Sequence, residues 1–159
     1  MGFEILAVPP ETLAVLRAQE GAELLVDEEG GSPLRCCLGR AKAGEEIALV
    51  SYAPLGGWVA DTGADPGPYL ESGPIFIHAA DCGGPVDKGF PDEHRKAPRV
   101  YRAYKRNGRI LGGRLVQPGE VAECVLAEMF GDPDIALVHV RAVEFGCFHF
   151  EVRRCRDVA

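Results

Sequence analysis

The sequence lacks the short motifs that mark the commonest nucleotide-binding and hydrolytic sites. It contains no Gly-x-Gly-x-x-Gly, no phosphate-binding loop, no Gly-x-Ser-x-Gly and no His-Glu-x-x-His, which argues against the familiar nucleotide cofactor sites, serine hydrolases and zinc proteases. Its six cysteines form no Cys-x-x-Cys pair, so neither a zinc ribbon nor a thioredoxin-type motif is supported. Paired carboxylates at a strand end are also missing, and glycoside hydrolysis is therefore not expected.

Targeting and membrane signals are missing as well. The first residues carry no basic cluster and no long apolar run, unlike a signal peptide. No stretch approaches the roughly 20 apolar residues of a membrane helix, and Leu6 stands where N-myristoylation requires Ser or Thr. We therefore expect a cytoplasmic chain without a membrane partner, in which the cysteines are reduced.

Acidic residues outnumber basic ones, 24 to 17, and the net charge is −7. The segment 95–114 is an exception, since it is rich in Arg and Lys, contains no acid and carries Tyr101 and Tyr104. This pattern is typical of a single-stranded nucleic-acid surface and equally of a solvated hairpin that resists aggregation. The overall acidity favours the second interpretation, and no nucleic-acid partner is expected.

The chain is rich in glycine and proline, the residues that interrupt helices and strands. Twenty Gly and twelve Pro in 159 residues indicate short strands and many turns, and the length fits a single domain, 1–159. The pattern predicts an α+β fold with a mostly antiparallel, curved or barrel-like sheet, one main helix at 119–130 and one short N-terminal helix starting near Pro10. The Gly- and Pro-rich segment 54–68, which holds the only Trp, is predicted to be an irregular loop and a candidate lid.

The clearest polar pattern lies in the final predicted hairpin. Alternation puts Val138 and Val140 on one face of its first strand and His139 and Arg141 on the other. In the second strand, Phe148, Phe150 and Val152 are predicted to face one way, and Cys147, His149 and Glu151 the other. One face is therefore apolar, and the other presents groups suited to proton transfer, anion binding and nucleophilic chemistry.

Two earlier segments are predicted to add to this polar face. Leu34–Leu38 reads as a strand with Arg35 and Cys37 opposite its core side, and 73–79 reads as a strand that presents His78. If the strands share one sheet and the segment 54–68 covers it, the polar groups meet in a pocket. The asparagine-glycine pair Asn107-Gly108 separately predicts a type I′ hairpin turn, in which both residues have a positive φ.

This pocket predicts a small enzyme without an organic cofactor that acts on a small anionic metabolite. Arg35 and Arg141 are expected to hold the anion through charge-assisted hydrogen bonds, with Tyr69 and Trp58 as further binding residues. The predicted catalytic groups, for a lyase or isomerase step that uses acid/base and Cys-assisted chemistry, are His139, His78, Cys147 and Cys37. A homodimer is left open.

Two alternatives use the same side chains. The first is a non-catalytic domain that binds a small ligand at the Arg/His face. The second is a zinc or iron protein in which His78 and Cys82 join His139 with Cys147 or His149. Residues four apart on a strand lie about 13 Å from each other, so His78 and Cys82 meet at one ion only if the chain turns back at Asp81.

Four motifs resemble a bacterial family of unknown function, DUF1203. They are Leu34-Arg-Cys-Cys-Leu, Pro68-Tyr-Leu-Glu-Ser-Gly-Pro-Ile-Phe-Ile-His78, Asp132-Pro followed by Val138-His-Val, and Gly146-Cys-Phe. The resemblance runs from the first strand to Arg153 and implies a compact bacterial single domain in which positions 36, 37 and 78 vary among members. It implies no particular reaction.

Overall fold

The computed structural model describes residues 2–155. Within this range the chain forms eight β-strands and three α-helices, which are β1 Phe3–Leu6, α1 Pro10–Ala18, β2 Glu23–Asp27, β3 Glu45–Tyr52, α2 Gly56–Thr62, β4 Gly73–His78, β5 Arg99–Tyr104, β6 Ile110–Val116, α3 Ala122–Met129, β7 Leu137–Ala142 and β8 Phe148–Arg154. Short 3-10 helices occur at Gly67–Tyr69 and Asp92–Arg95. The α+β prediction is confirmed.

The strands form two antiparallel sheets rather than one. The larger sheet has the order β1-β8-β7-β5-β6, and the smaller sheet has the order β2-β3-β4. No strand pairing in residues 2–155 joins the edges of these sheets, so the prediction of a barrel-like sheet is wrong. The physical reason is the segment between β4 and β5, residues 79–98, whose prolines and glycines make no strand and so interrupt the ladder.

The helices follow the sequence signals with small differences. Pro10 starts α1, whose Leu13 and Leu16 are buried, as predicted for the short N-terminal helix. The main helix is confirmed but is shorter than 119–130, because residues 117–120 make a turn in which the Glu120 carboxylate accepts the Gln117 N–H at 2.8 Å. None of the helices in the described part of the chain has the length and apolarity needed to cross a membrane.

The segment 54–68 contains a helix that the sequence reading missed. α2 spans only seven residues and starts with two glycines, so it carries too few apolar positions to show a helical period. It ends at Gly63, whose φ of 71° suits glycine. The segment is therefore not irregular throughout, and its role as a lid stays a prediction.

The larger sheet buries both of its faces. Val138, Val140, Phe150 and Val152 pack with Leu126 of α3 in the main core. On the opposite face, Leu55 and Trp58 from the α2 segment pack against Tyr104 and Leu137. His139 and Arg141 alternate with the core valines and so lie on this second, covered face, as the sequence predicted.

A bulge in β8 changes one predicted face. The pairing of β7 with β8 shifts register between Val140 and Arg141, so that Arg141 lies opposite Phe148. The Phe148 ring consequently lies 5.0 Å from the His139 ring, while His149 lies 4.5 Å from His94. The prediction that Phe148 shares a face with Phe150, and His149 with Glu151, is therefore wrong.

Candidate metal centre

The segment Leu34–Leu38 is a tight turn and not the predicted strand. The Leu34 N–H donates to the Gly39 carbonyl at 2.9 Å, and the Leu38 N–H donates to the Leu34 carbonyl at 3.1 Å. Leu38 has a φ of 61°, a left-handed conformation that costs a residue with a side chain about 1–2 kcal/mol. Because the chain curls here instead of extending, Cys36 and Cys37 do not point to opposite faces.

The other two members of the cluster come from the end of β4 and the loop after it. His78 is the last residue of β4, and Cys82 follows four residues later. The loop turns back, since the Asp81 carboxylate accepts the Gly83 N–H at 3.0 Å. Arg17 of α1 fixes this backbone by donating to the carbonyls of His78 at 3.0 Å and Ala80 at 3.1 Å.

These two segments bring three thiols and one imidazole together. One ligand atom from each of Cys36, Cys37, His78 and Cys82 lies within 4.8 Å of the other three. His78 Nδ1 is 3.3 Å from Cys36 Sγ and 3.9 Å from Cys37 Sγ. In a tetrahedral zinc site, bonds of about 2.3 Å to sulfur and 2.0 Å to nitrogen separate the ligand atoms by about 3.5–3.8 Å. The cluster therefore has nearly the dimensions of a zinc site.

The far side of the His78 ring is held by a carboxylate. His78 Nε2 is hydrogen-bonded to Glu45 Oε1 at the start of β3. A carboxylate at this position keeps the proton on Nε2, which leaves the lone pair of Nδ1 directed at the thiols. This arrangement of carboxylate, histidine and ligand site is the one that orients most metal-binding histidines.

The thiols of Cys36 and Cys37 interact, and their pKa values shift in opposite directions. A hydrogen bond from Cys36, followed by the Gly39 N–H and the nearby His78, lowers the pKa of Cys37 to about 6. The same bond and burial raise the pKa of Cys36, although Cys36 Sγ also accepts the His78 N–H at 3.2 Å. Cys37 is therefore the more acidic of the two thiols.

The structure divides the predicted catalytic and binding residues among several places. His78 and Cys37 belong to the thiol cluster. Arg35 is 3% exposed and donates to the carbonyls of Phe148 and Pro33, both at 2.7 Å. His139 is fully buried, and its Nε2 lies 3.0 Å from the Glu151 carboxylate. Burial lowers the pKa of His139 despite this carboxylate.

Four other predicted residues lie apart from the cluster. Arg141 and Cys147 line a small cavity at the end of β7. Trp58 donates its indole N–H to the Arg106 carbonyl at 2.8 Å and lines a different, open groove. Tyr69 is 40% exposed beside Arg109. The predicted set therefore does not converge on one pocket, and the catalytic and substrate-binding roles given to these residues stay predictions.

Sequence reasoning did not predict one member of the thiol cluster, Cys36, or two residues that support it, Glu45 and Arg17. Cys36 was predicted on the core side of a strand; it is a core residue, 1% exposed, but it also reaches the cluster because its segment is a turn. Glu45 and Arg17 come from β3 and α1 and carry no local signal. The adjacency of Cys36 and Cys37 was the available clue, since two consecutive thiols reach one point only in a turn.

Comparison with known proteins identifies the family. A protein-family model described as a protein of unknown function, DUF1203, matches residues 31–154. The chain belongs to the DUF1203 family. The match starts after β2 and not at the first strand, and it includes all four members of the thiol cluster. No curated protein and no solved structure matches the chain.

Proposed function

We propose that this DUF1203 chain binds a zinc ion through Cys36, Cys37, His78 and Cys82. The observation that carries the proposal is the approach of four ligand atoms to within 4.8 Å of one another. Three sulfurs and one nitrogen form a soft, tetrahedral donor set, which suits zinc better than magnesium, calcium or manganese. The proposal corresponds to the metal alternative from the sequence, with Cys36 and Cys37 in place of His139 and either Cys147 or His149.

The donor set also indicates what the ion does. Four protein ligands leave no coordination position for water or substrate, which is the arrangement of structural zinc sites. The ligands come from the 33–40 turn, the end of β4 and the loop after it, so the ion ties together segments that have little regular structure. We therefore propose a stabilising metal rather than a Lewis acid.

The predicted acid/base enzyme acting on a small anion stays a separate prediction. Its best support is Arg141, which lines a cavity. Its weakest member is His139, whose ring is fully buried and whose Nε2 is engaged by Glu151. The closed donor set of the thiol cluster gives the enzyme prediction no additional support.

The test is metal content of protein purified under reducing conditions without chelators. We expect elemental analysis to find one equivalent of zinc per chain, and cobalt substitution to give the intense absorption of thiolate-to-cobalt charge transfer. Cys82→Ser and Cys37→Ser remove a ligand and should reduce the zinc content below that of the wild-type chain. Glu45→Gln should weaken zinc affinity by about 10- to 100-fold, because it removes the carboxylate that orients His78.

Two cysteines outside the cluster provide matched controls. Cys124→Ser and Cys147→Ser should retain full zinc content, since neither thiol is within the cluster. Equal zinc loss in these variants, or full occupancy in Cys82→Ser, would contradict the proposed ligand set. Circular dichroism of each variant separates loss of the ion from loss of the fold.

A further inference from the structure

A small cavity lies at the end of β7, away from the thiol cluster. It has a volume of about 130 Å³, and its lining includes Arg141, Tyr52, Cys147, Ile75 and Phe148. Because one water molecule takes about 30 Å³ of liquid, the cavity holds a ligand of four to six non-hydrogen atoms. Its wall combines one guanidinium, the Glu71 carboxylate and the Ser72 hydroxyl with aromatic and aliphatic side chains.

Arg141 and Glu71 are the charged groups in this wall, and the hydrogen bonds of Arg141 are incomplete. The Arg141 side chain is 9% exposed. Its Nε donates to the Gly146 carbonyl at 2.8 Å, and its Nη2 lies 3.5 Å from Glu71 Oε1. Its Nη1 is buried and has no hydrogen-bond partner among residues 2–155. A guanidinium keeps its charge and all five N–H donors, so this nitrogen has a donor capacity that the described chain leaves unused.

The same carboxylate serves a second guanidinium. Arg102 Nη1 donates to Glu71 Oε1 at 2.8 Å. Two arginines thus share one carboxylate, whose side chain is 51% exposed and lies outside any helix or strand. The cavity mouth carries one positive charge more than Glu71 neutralises, and a single further negative charge balances it.

We infer that this cavity binds a short-chain monocarboxylate. The ligand's carboxylate accepts hydrogen bonds from Arg141 Nη1, and its short chain lies against Phe148 and Ile75. A monocarboxylate fits better than phosphate for two reasons. It supplies the one missing charge without the second negative charge that phosphate would bring next to Glu71, and its hydrocarbon part matches the apolar side chains of the lining.

Cys147 in the cavity wall allows a direct test by alkylation. Iodoacetate and iodoacetamide both react when the cysteine sulfur displaces iodide from the reagent's methylene carbon, forming a carbon–sulfur bond and releasing iodide and the thiol proton. Iodoacetate is itself a short monocarboxylate, and iodoacetamide is its neutral counterpart. Peptide-resolved mass spectrometry measures both rates at Cys147 and, as an internal reference, at the exposed Cys124.

We expect the ratio of the iodoacetate rate to the iodoacetamide rate to be at least fivefold higher at Cys147 than at Cys124. Arg141→Gln should abolish this difference, and propionate should suppress the iodoacetate reaction in a saturable way. Glu71→Gln should increase the ratio, because it removes the competing carboxylate. Arg114→Gln is the matched control, since Arg114 pairs with Glu120 and Glu128 elsewhere, and it should behave as wild type.

Several results would overturn the inference. One is an equal rate ratio at the two cysteines, and another is a preference that survives in Arg141→Gln. Protection of Cys147 by phosphate but not by propionate would exclude a carboxylate site. If Cys147 reacts with neither reagent, or Arg141→Gln does not fold, the melting temperature in propionate decides. The site is rejected if propionate raises the melting temperature no more than the same concentration of chloride does. It is also rejected if the rise in Glu71→Gln is no larger than in the wild-type chain.

Discussion

At the scale of single residues, burial decides which histidines can carry charge. His94 and His149 lie ring to ring at 4.5 Å, and both are at most 5% exposed. Burial first, and then the charge of Arg99, Arg35 and Arg40, lowers the pKa of His94 to about 3. Burial, followed by Arg35 and His94, lowers the pKa of His149 to about 2. Both imidazoles are neutral in the folded chain throughout the physiological range.

This pair predicts a loss of stability in mild acid. In the unfolded chain the histidines take up protons below a pKa of about 6.5, while the folded chain does not bind them until about pH 3. Their contribution is therefore complete above pH 6.5 and is lost as the pH falls from 6.5 towards 3, with a limiting slope of about 1.4 kcal/mol per pH unit for each histidine. Urea unfolding at pH 7, 6, 5 and 4 measures it.

His149→Phe is the matched variant for that measurement. It removes one titrating group while keeping a buried ring, so its free energy of unfolding should decline less steeply with falling pH than that of the wild-type chain. Carboxylates and thiols titrate in both proteins and cancel in the comparison. Parallel declines would show that His149 does not differ in pKa between the folded and unfolded chain.

At the scale of elements, sequence periodicity succeeded where a segment is long enough to repeat. The alternation of β7, a hairpin between β5 and β6 and an apolar face of α3 are all present in the structure. The hairpin turn is not the predicted type I′ turn, because the Gly108 N–H donates to the Lys105 carbonyl and only Gly108 of the Asn107-Gly108 pair has a positive φ. Periodicity failed in the turn at Leu34–Leu38, in α2 and at the β8 bulge. Each of these is set by contacts with distant residues, as when the Arg35 N–H donates to the Phe76 carbonyl at 3.0 Å.

The candidate site shows the same limit. His78 and Cys82 were paired as ligands from their types alone, and the required turn at Asp81 is present. Cys36 and Glu45 were not predicted as partners, because a single sequence does not show that the 33–40 turn lies beside β4. Residue types predicted the chemistry, whereas the grouping depended on tertiary structure.

The hairpin turn provides the prediction for this scale. Gly108 has a φ of 83°, and a Cβ there would lie 2.8 Å from the Cβ of Pro66. Gly44 has a nearly equal φ of 82° but no atom within 4 Å of such a Cβ. Gly44→Ala should cost about 1 kcal/mol from backbone strain alone, and Gly108→Ala should cost clearly more, as measured by urea unfolding. Equal losses of unfolding free energy in the two variants would mean that Pro66 moves aside at no energetic cost.

At the scale of the whole molecule, the thiol cluster is connected to both sheets. His78 belongs to the smaller sheet. Arg35, next to Cys36, reaches the larger sheet at the Phe148 carbonyl, and its own carbonyl accepts the Val8 N–H at 3.2 Å. The 33–40 turn is therefore tied by hydrogen bonds to β8 and to the connection between β1 and α1.

If the cluster holds zinc as proposed, removing the ion should loosen these regions selectively. Chelation is expected to speed amide hydrogen exchange in residues 31–41, 78–84 and around Val8, while α3 in the other core stays protected. Zinc at 100 times its dissociation constant stabilises the folded chain by about 2.7 kcal/mol, which appears as a fall in melting temperature on chelation. Cys82→Ser should not respond to the chelator, and uniform acceleration along the chain would contradict a local role.

The adjacency of Cys36 and Cys37 limits where insertions can occur in this chain. If Cys36 and Cys37 hold one ion as proposed, no residue can be inserted between them, since one extra peptide unit would move the second sulfur several ångströms away. The stretch from Cys37 to His78 has no such restriction, because residues can be added in the loops that precede and follow β3 and α2. Natural variants with an intact cluster should therefore keep the cysteine pair unbroken while differing freely in the loops between Cys37 and His78.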